Sequence, residues 1–198
     1  QDDIDGDNII PKTKNVDDRN PSQILGEILK EREYDFDLIP WDSQKIPDDF
    51  FEQNSEENMK AYTNQILGAV RTQDVQTLKQ LFANGHSMQC RNKFGESILH
   101  LACRRGFGDV VDFLVHDAQI NINIRDDFGR TPLHDVCWVT KPNFQIVTSL
   151  LKISPDLLII GDSRGFTPLQ YVKKDQHGAW SEFLKQNEDL VVPKCIQR

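Results

Sequence analysis

Three short segments, each built around a glycine, recur along the chain at nearly one interval. They are Phe94-Gly95-Glu96-Ser97-Ile98-Leu99-His100, Phe128-Gly129-Arg130-Thr131-Pro132-Leu133-His134 and Arg164-Gly165-Phe166-Thr167-Pro168-Leu169-Gln170, with the glycines 34 and 36 residues apart. Recurrence at a period of this size marks a chain assembled from similar units that bury a continuous core between neighbours. Helical patterning follows each segment. After the first, Val110, Val111, Phe113 and Leu114 occupy a second helix, with Gly106 in the turn before it. Residues 60–92 read as a degenerate opening unit, with Ile66, Leu67, Val75, Leu78, Leu81 and Phe82 in the expected helical places.

Signature, period and helix pattern together resemble the ankyrin repeat, a 33-residue unit carrying Thr-Pro-Leu-His. The middle copy matches that signature completely, the first has Ser-Ile-Leu-His and the last Thr-Pro-Leu-Gln. The resemblance implies an all-α repeat solenoid over residues 59–190, with hairpin loops and about four helix-turn-helix units, the first and last being degenerate caps. Thr131 is expected to cap a helix whose first turn holds Pro132, and Thr167 and Pro168 stand in the same places of the last copy. The resemblance implies that His100 and His134 bond to the Ser or Thr and to neighbouring backbone, tying units together. Gly95, Gly129 and Gly165 are expected to supply positive φ at the hairpins.

The copies also depart from the pattern. Extra residues around Trp138 to Phe144 stand where a glycine is usual, and Pro142 is expected to end the first helix there. The loop from Ser154 to Gly161 is long. The last copy, Thr167 to Asn187, is rich in Lys and Gln, as suits a cap that faces water.

Charge divides the chain. Residues 1–58 hold 17 acidic and 6 basic side chains, a net of −11, and the remainder 14 acidic and 17 basic, a net of +3. An acidic arm, extended or partly helical, thus precedes a mildly basic body, with residues 191–198 as a C-terminal tail. The overall −8 argues against general nucleic-acid binding, which needs a basic face. No run of 18 apolar residues predicts a membrane span. Asp2 to Asp7 imitates the start of a calcium loop, but the closing ligand position falls on Lys12, which repels the ion. Within the arm, Ile24, Leu25, Ile28 and Leu29 share one face of a short helix that needs a surface to lie on. Phe36, Trp41, Phe50 and Phe51 follow among acids and prolines. These read either as docking anchors for a partner or as a segment folded back on its own domain.

Two catalytic or metal patterns dissolve on inspection. Gly161-Asp162-Ser163-Arg164-Gly165 fits a nucleophile elbow. Gly165 is already explained by register with Gly95 and Gly129, and Asp162 aligns with Asp126 and Asn92. His100-x-x-Cys103 and His134-x-x-Cys137 resemble zinc ligands. Equivalent residues in adjacent units lie roughly 8–10 Å apart, too far for one zinc ion and for a Cys103–Cys137 disulfide. The cysteines therefore read as free thiols of an intracellular, reducing compartment, with cytoplasm or nucleus favoured and an organelle as the alternative if a targeting segment has been removed. No cofactor is expected.

What remains is a surface. Lys93, Phe94, Arg104, Arg105, Asp127, Phe128, Arg130, Trp138, Arg164, Phe166, Lys173 and Lys174 occupy hairpin tips and helix positions that the core does not use. The resemblance implies a concave face that binds another protein there, with aromatic and arginine anchors. The expectation is a non-catalytic adaptor, its arm a second docking or self-masking segment. The alternatives are a constitutive subunit of a larger complex held by the arm and, remotely, a serine hydrolase using Ser163.

Overall fold

The computed structural model describes residues 19–34, 38–40 and 42–194. Phe36, Trp41, Cys195 and the calcium-like start lie outside the described residues. The body is a stack of helix pairs: α2 Glu56–Ala61, α3 Asn64–Arg71 and α4 Val75–Ala83, then α5 Ile98–Arg105 and α6 Gly108–Asp112, then α7 Pro132–Trp138 and α8 Phe144–Ile153, then α9 His177–Gln186. One π turn, Phe113–Asp117, extends α6. α3 packs on α5, α5 on α7, and α6 on α8, so each pair buries its apolar stripe against the next.

The caps show why these segments start where they do. Ser97 Oγ accepts the His100 amide at 3.2 Å while His100 Nδ1 accepts the Ser97 amide at 3.2 Å. Thr131 and His134 form the same reciprocal box, with the Thr131 amide 3.0 Å from Nδ1. In the last unit Gln170 Oε1 accepts the Thr167 amide at 2.8 Å, so Gln replaces His as the returning acceptor. Each hairpin is held by the residue two before the Phe or Arg at its tip: Asn92, Asp126 and Asp162 each accept two amides across the turn. Gly129 is required here for two reasons. Its φ is +75°, and a Cβ there would stand 2.9 Å from the Ser163 amide of the next hairpin.

Four expectations need correction. Pro142 does not end α7, which stops at Trp138 because Val139 already takes extended backbone. The last unit lacks a full first helix and has only a 3-10 turn, Pro168–Tyr171. Residues 191–194 are no free tail: Val191 and Pro193 are buried, and the Lys194 amide donates to Asp156. Nor does the last unit face water on its outer side. It is covered by the arm.

That cover is α1, Pro21–Glu31, whose Ile24, Leu25, Ile28 and Leu29 are all buried against α9 and the 3-10 turn. Asn20 caps it by accepting the Ser22 amide. Arg32 reaches Asp189 at 2.6 Å and Glu188 at 3.3 Å. From there the arm runs back along the stack, opposite to the order of the units. Ile39 exchanges backbone bonds with Ile159 and Gly161 at 2.9 Å, the Glu52 amide donates to Asn123, and Asn58 accepts from Arg91. Each of these partners lies in a segment leading into a hairpin. Phe51 is buried with Arg125 over its ring, Phe50 packs edge-on to Phe51, and buried Arg91 grips the Glu52 and Gln53 carbonyls at 3.0 and 2.8 Å.

Candidate functional site

Two regions hold the surface residues singled out above. The first is the row of hairpin tips. Phe94 and Phe128 are 56% and 61% exposed, and Phe166 is exposed as well. Adjacent hairpins are joined by backbone bonds from Asp127 to Phe94 (3.0 Å) and from Ser163 to Phe128 (2.8 Å), so the rings recur once per unit. A cation lies over each: Lys93 at 4.9 Å, Arg130 at 5.0 Å and Arg164 at 5.2 Å from the centroid.

The second is an open cleft of about 530 Å³ lined by Arg104, Arg105, Gly106, Trp138, Val139, Thr140, Lys141 and Lys173. Its origin lies in the register. α5 ends on Gly106 in the left-handed conformation at φ 70°. At the matching place of the next unit stands Thr140, so α7 cannot close the same way and residues 139–143 swing out as a rim. Trp138 is left 53% exposed at the helix end, its ring 5.6 Å from Tyr171. Tyr171 in turn receives a hydrogen bond from Arg164 at 2.7 Å, linking the cleft to the tips. Lys174 lies beside Lys173 and is exposed, but does not line the cleft.

The arginines are not equivalent. Arg104 pairs with Glu96 and, at 3.4 Å, with Asp135. Arg130 pairs with Asp126 at 2.7 Å, and Arg164 with Asp162 at 3.3 Å. Their charges are thus answered within the fold, which weakens the picture of one long basic face. Burial opposes ionisation of Asp162, but hydrogen bonds from Tyr171 and from the Phe166 and Arg164 amides outweigh it and hold its pKa below the ordinary value. Asp135 behaves differently. Burial pushes it up to about 7, against the pull of Arg104 and Arg130. Sequence reasoning does not reach Lys141 on the rim, Tyr171 beside Trp138, or the buried Asp135 that pairs with Arg104. Asp135 and Tyr171 both stand three residues after the signature proline, a position that register alone could have flagged.

Both ring nitrogens of the two signature histidines are engaged within the stack. Nδ1 of His134 accepts from Thr131, and Nε2 donates to the Phe166 carbonyl at 3.0 Å in the next unit. His100 does the same with Ser97 and Arg130. Burial holds both imidazoles at about 4. Ser163 sits at a hairpin tip with its amide bonded to Phe128. Among the described residues, no group of three His, Cys, Asp or Glu side chains is placed to hold a metal ion, and no helix is long and apolar enough to cross a membrane.

Cys90, Cys103 and Cys137 are buried and unbonded. Burial pushes the Cys90 thiol up to about 12 and the other two well above the usual range. These three are expected to resist a thiol reagent in the native protein. After denaturation without reductant, all four cysteines of the chain should react. A Cys103–Cys137 peptide in a digest would contradict the register.

The comparisons with known proteins agree with this architecture. Residues 66–159 match the family model for ankyrin repeats in three copies. An ankyrin repeat protein of Rickettsia bellii is 28% identical over 123 residues, 62% of this chain and 66% of that protein. A glutaminase 2 of Caenorhabditis elegans is 27% identical over 70 residues, 35% of this chain and 12% of that protein. The SMC5-SMC6 complex localization factor protein 1 of Bos taurus is 31% identical over 96 residues, 48% of this chain and 9% of that protein. The chain spans about two thirds of the Rickettsia bellii protein but only a small part of the other two, and its likeness to the glutaminase covers the repeats alone. Hairpin-bearing helix pairs, tied together by Ser/Thr–His boxes and matched by a family model across their centre, lead to one assignment: residues 66–159 are ankyrin repeats.

Proposed function

We propose that this chain is an adaptor that binds a partner protein through the Trp138 cleft and the adjoining hairpin tips. Ankyrin repeats are protein-binding modules in general. The observation that carries the specific reading is the exposure of Phe94, Phe128, Phe166 and Trp138, large rings that the core does not use. Aromatic and arginine side chains are the usual anchors of such interfaces. The arm is read as an internal brace. Among its described apolar side chains, Ile24, Leu25, Ile28, Leu29, Ile39 and Phe51 are already covered by the chain's own body, though Leu38 is exposed, which leaves less support for a subunit held by the arm. Masking by the arm has less support too, because no described arm residue lines the cleft. The unbonded thiols support placement in a reducing compartment.

The test is capture of partners by the whole chain, compared with Phe128→Ala and Trp138→Ala. Each substitution should weaken binding of a captured protein by about 1–3 kcal/mol. Melting temperatures should change little, since both rings are exposed. A partner indifferent to both substitutions would refute the cleft and tips as its site.

A further inference from the structure

We propose that the Trp138 cleft receives an acidic, extended segment of the partner protein, with an apolar side chain of that segment resting on the indole. This rests on the cleft being the partner-binding surface. The chain carries a net charge of −8, yet four cations and no acid stand among the eight residues lining this cleft. Arg104 is committed to Glu96 and Asp135. Arg105, Lys141 and Lys173 are exposed, and among the described residues none of them forms an ion pair.

Arg105 lies in the last turn of α5, where a cation also answers the negative pole of the helix. Lys141 and Lys173 have no such task. Lys141 sits on the rim that the missing glycine creates, and Lys173 follows the 3-10 turn. Their charges converge on an open space beside a half-exposed indole, and convergence of like charges is unfavourable until an opposite charge joins them. Carboxylates spaced along an extended segment can meet them in turn, and such complementarity sets specificity and speeds encounter. A nucleic acid fits less well. Three free cations neutralise few phosphates, and the acidic remainder of the chain repels a polyanion.

The test is panning of displayed random peptides against the whole chain at low salt, with counter-selection on Trp138→Ala. The selected peptides should be rich in Asp and Glu around one large apolar residue. They should bind Lys141→Glu/Lys173→Glu about tenfold or more weakly, with the gap shrinking as salt screens the charges. An unchanged melting curve for that variant separates lost binding from lost folding. Peptides that need Trp138 but lack acids, or that ignore the charge reversal, would overturn the acidic segment and leave the cleft standing as the interface. Selected peptides that are all indifferent to Trp138→Ala would overturn the cleft itself. Binding seen only after removal of residues 1–18, which hold six aspartates, would assign the cleft to the chain's own start and overturn a partner as its occupant. Tighter binding of an oligouridylate than of any selected peptide, lost in the same charge-reversed variant, would overturn it in favour of RNA.

Discussion

Between pH 6.5 and 4 the folded state is expected to lose stability, on the order of 3 kcal/mol in all. The cause is a small set of buried groups. His100 and His134 are held at about 4, whereas an unfolded imidazole titrates near 6.5. Their contribution is whole above 6.5 and is lost as the pH falls through 4. Asp135, pushed up to about 7, acts the other way. The folded chain takes up its proton first, so its contribution is whole below the ordinary carboxylate pKa and is lost as the pH rises through about 7. Across the window the unfolded chain carries two extra protons on the histidines and the folded chain one on Asp135. The difference of one proton sets the slope.

The structural reason is equally specific. Protonated Nδ1 can no longer accept the Thr131 or Ser97 amide, so the box that starts each helix would break. The last unit supplies the control, because Gln170 performs the capping role without titrating. His100→Gln/His134→Gln should therefore fold. At pH 7 it should lose about 1–3 kcal/mol, for the two carbonyl bonds that Nε2 no longer makes. Its stability should then rise on acidification from 6.5 to 4 by an amount comparable to the wild-type loss, driven by Asp135. Urea titrations across that pH range measure both slopes. A wild-type curve that is flat there, or a double variant that keeps the wild-type slope, would refute the linkage.

The second large effect concerns α1. Leu25→Asp/Leu29→Asp should lower stability by more than about 3 kcal/mol and the melting temperature by roughly 10 °C or more. Both side chains are at most 2% exposed, packed where the last unit would otherwise end in water. Burying a leucine contributes about 1.5–3 kcal/mol, and a buried carboxylate adds its own desolvation cost. Against a typical domain stability of about 5–15 kcal/mol that is a large share. α9 should be the first element to lose amide protection from exchange, because Trp180, Phe183 and Leu184 rely on the covered end. A double variant that melts with the wild type would show that α1 contributes nothing to the stack.

The repeats were legible because their information is local. A glycine at positive φ, a Ser or Thr cap and a returning His all lie within seven residues, and they recur, so each copy checks the others. The exposed tips followed from the same register. The amphipathic face of α1 was legible too, but a face does not name its partner. That choice was made by contacts such as Arg32 with Asp189, 157 residues apart, and Ile39 with Ile160. The cleft lay between these cases. The missing glycine after Trp138 could be read from the chain, but the convergence of Lys141 and Lys173 on the exposed indole could not. It depends on how one loop swings out when its helix lacks a left-handed end and on a final unit shortened to a single turn, and both are settled only when neighbouring units pack.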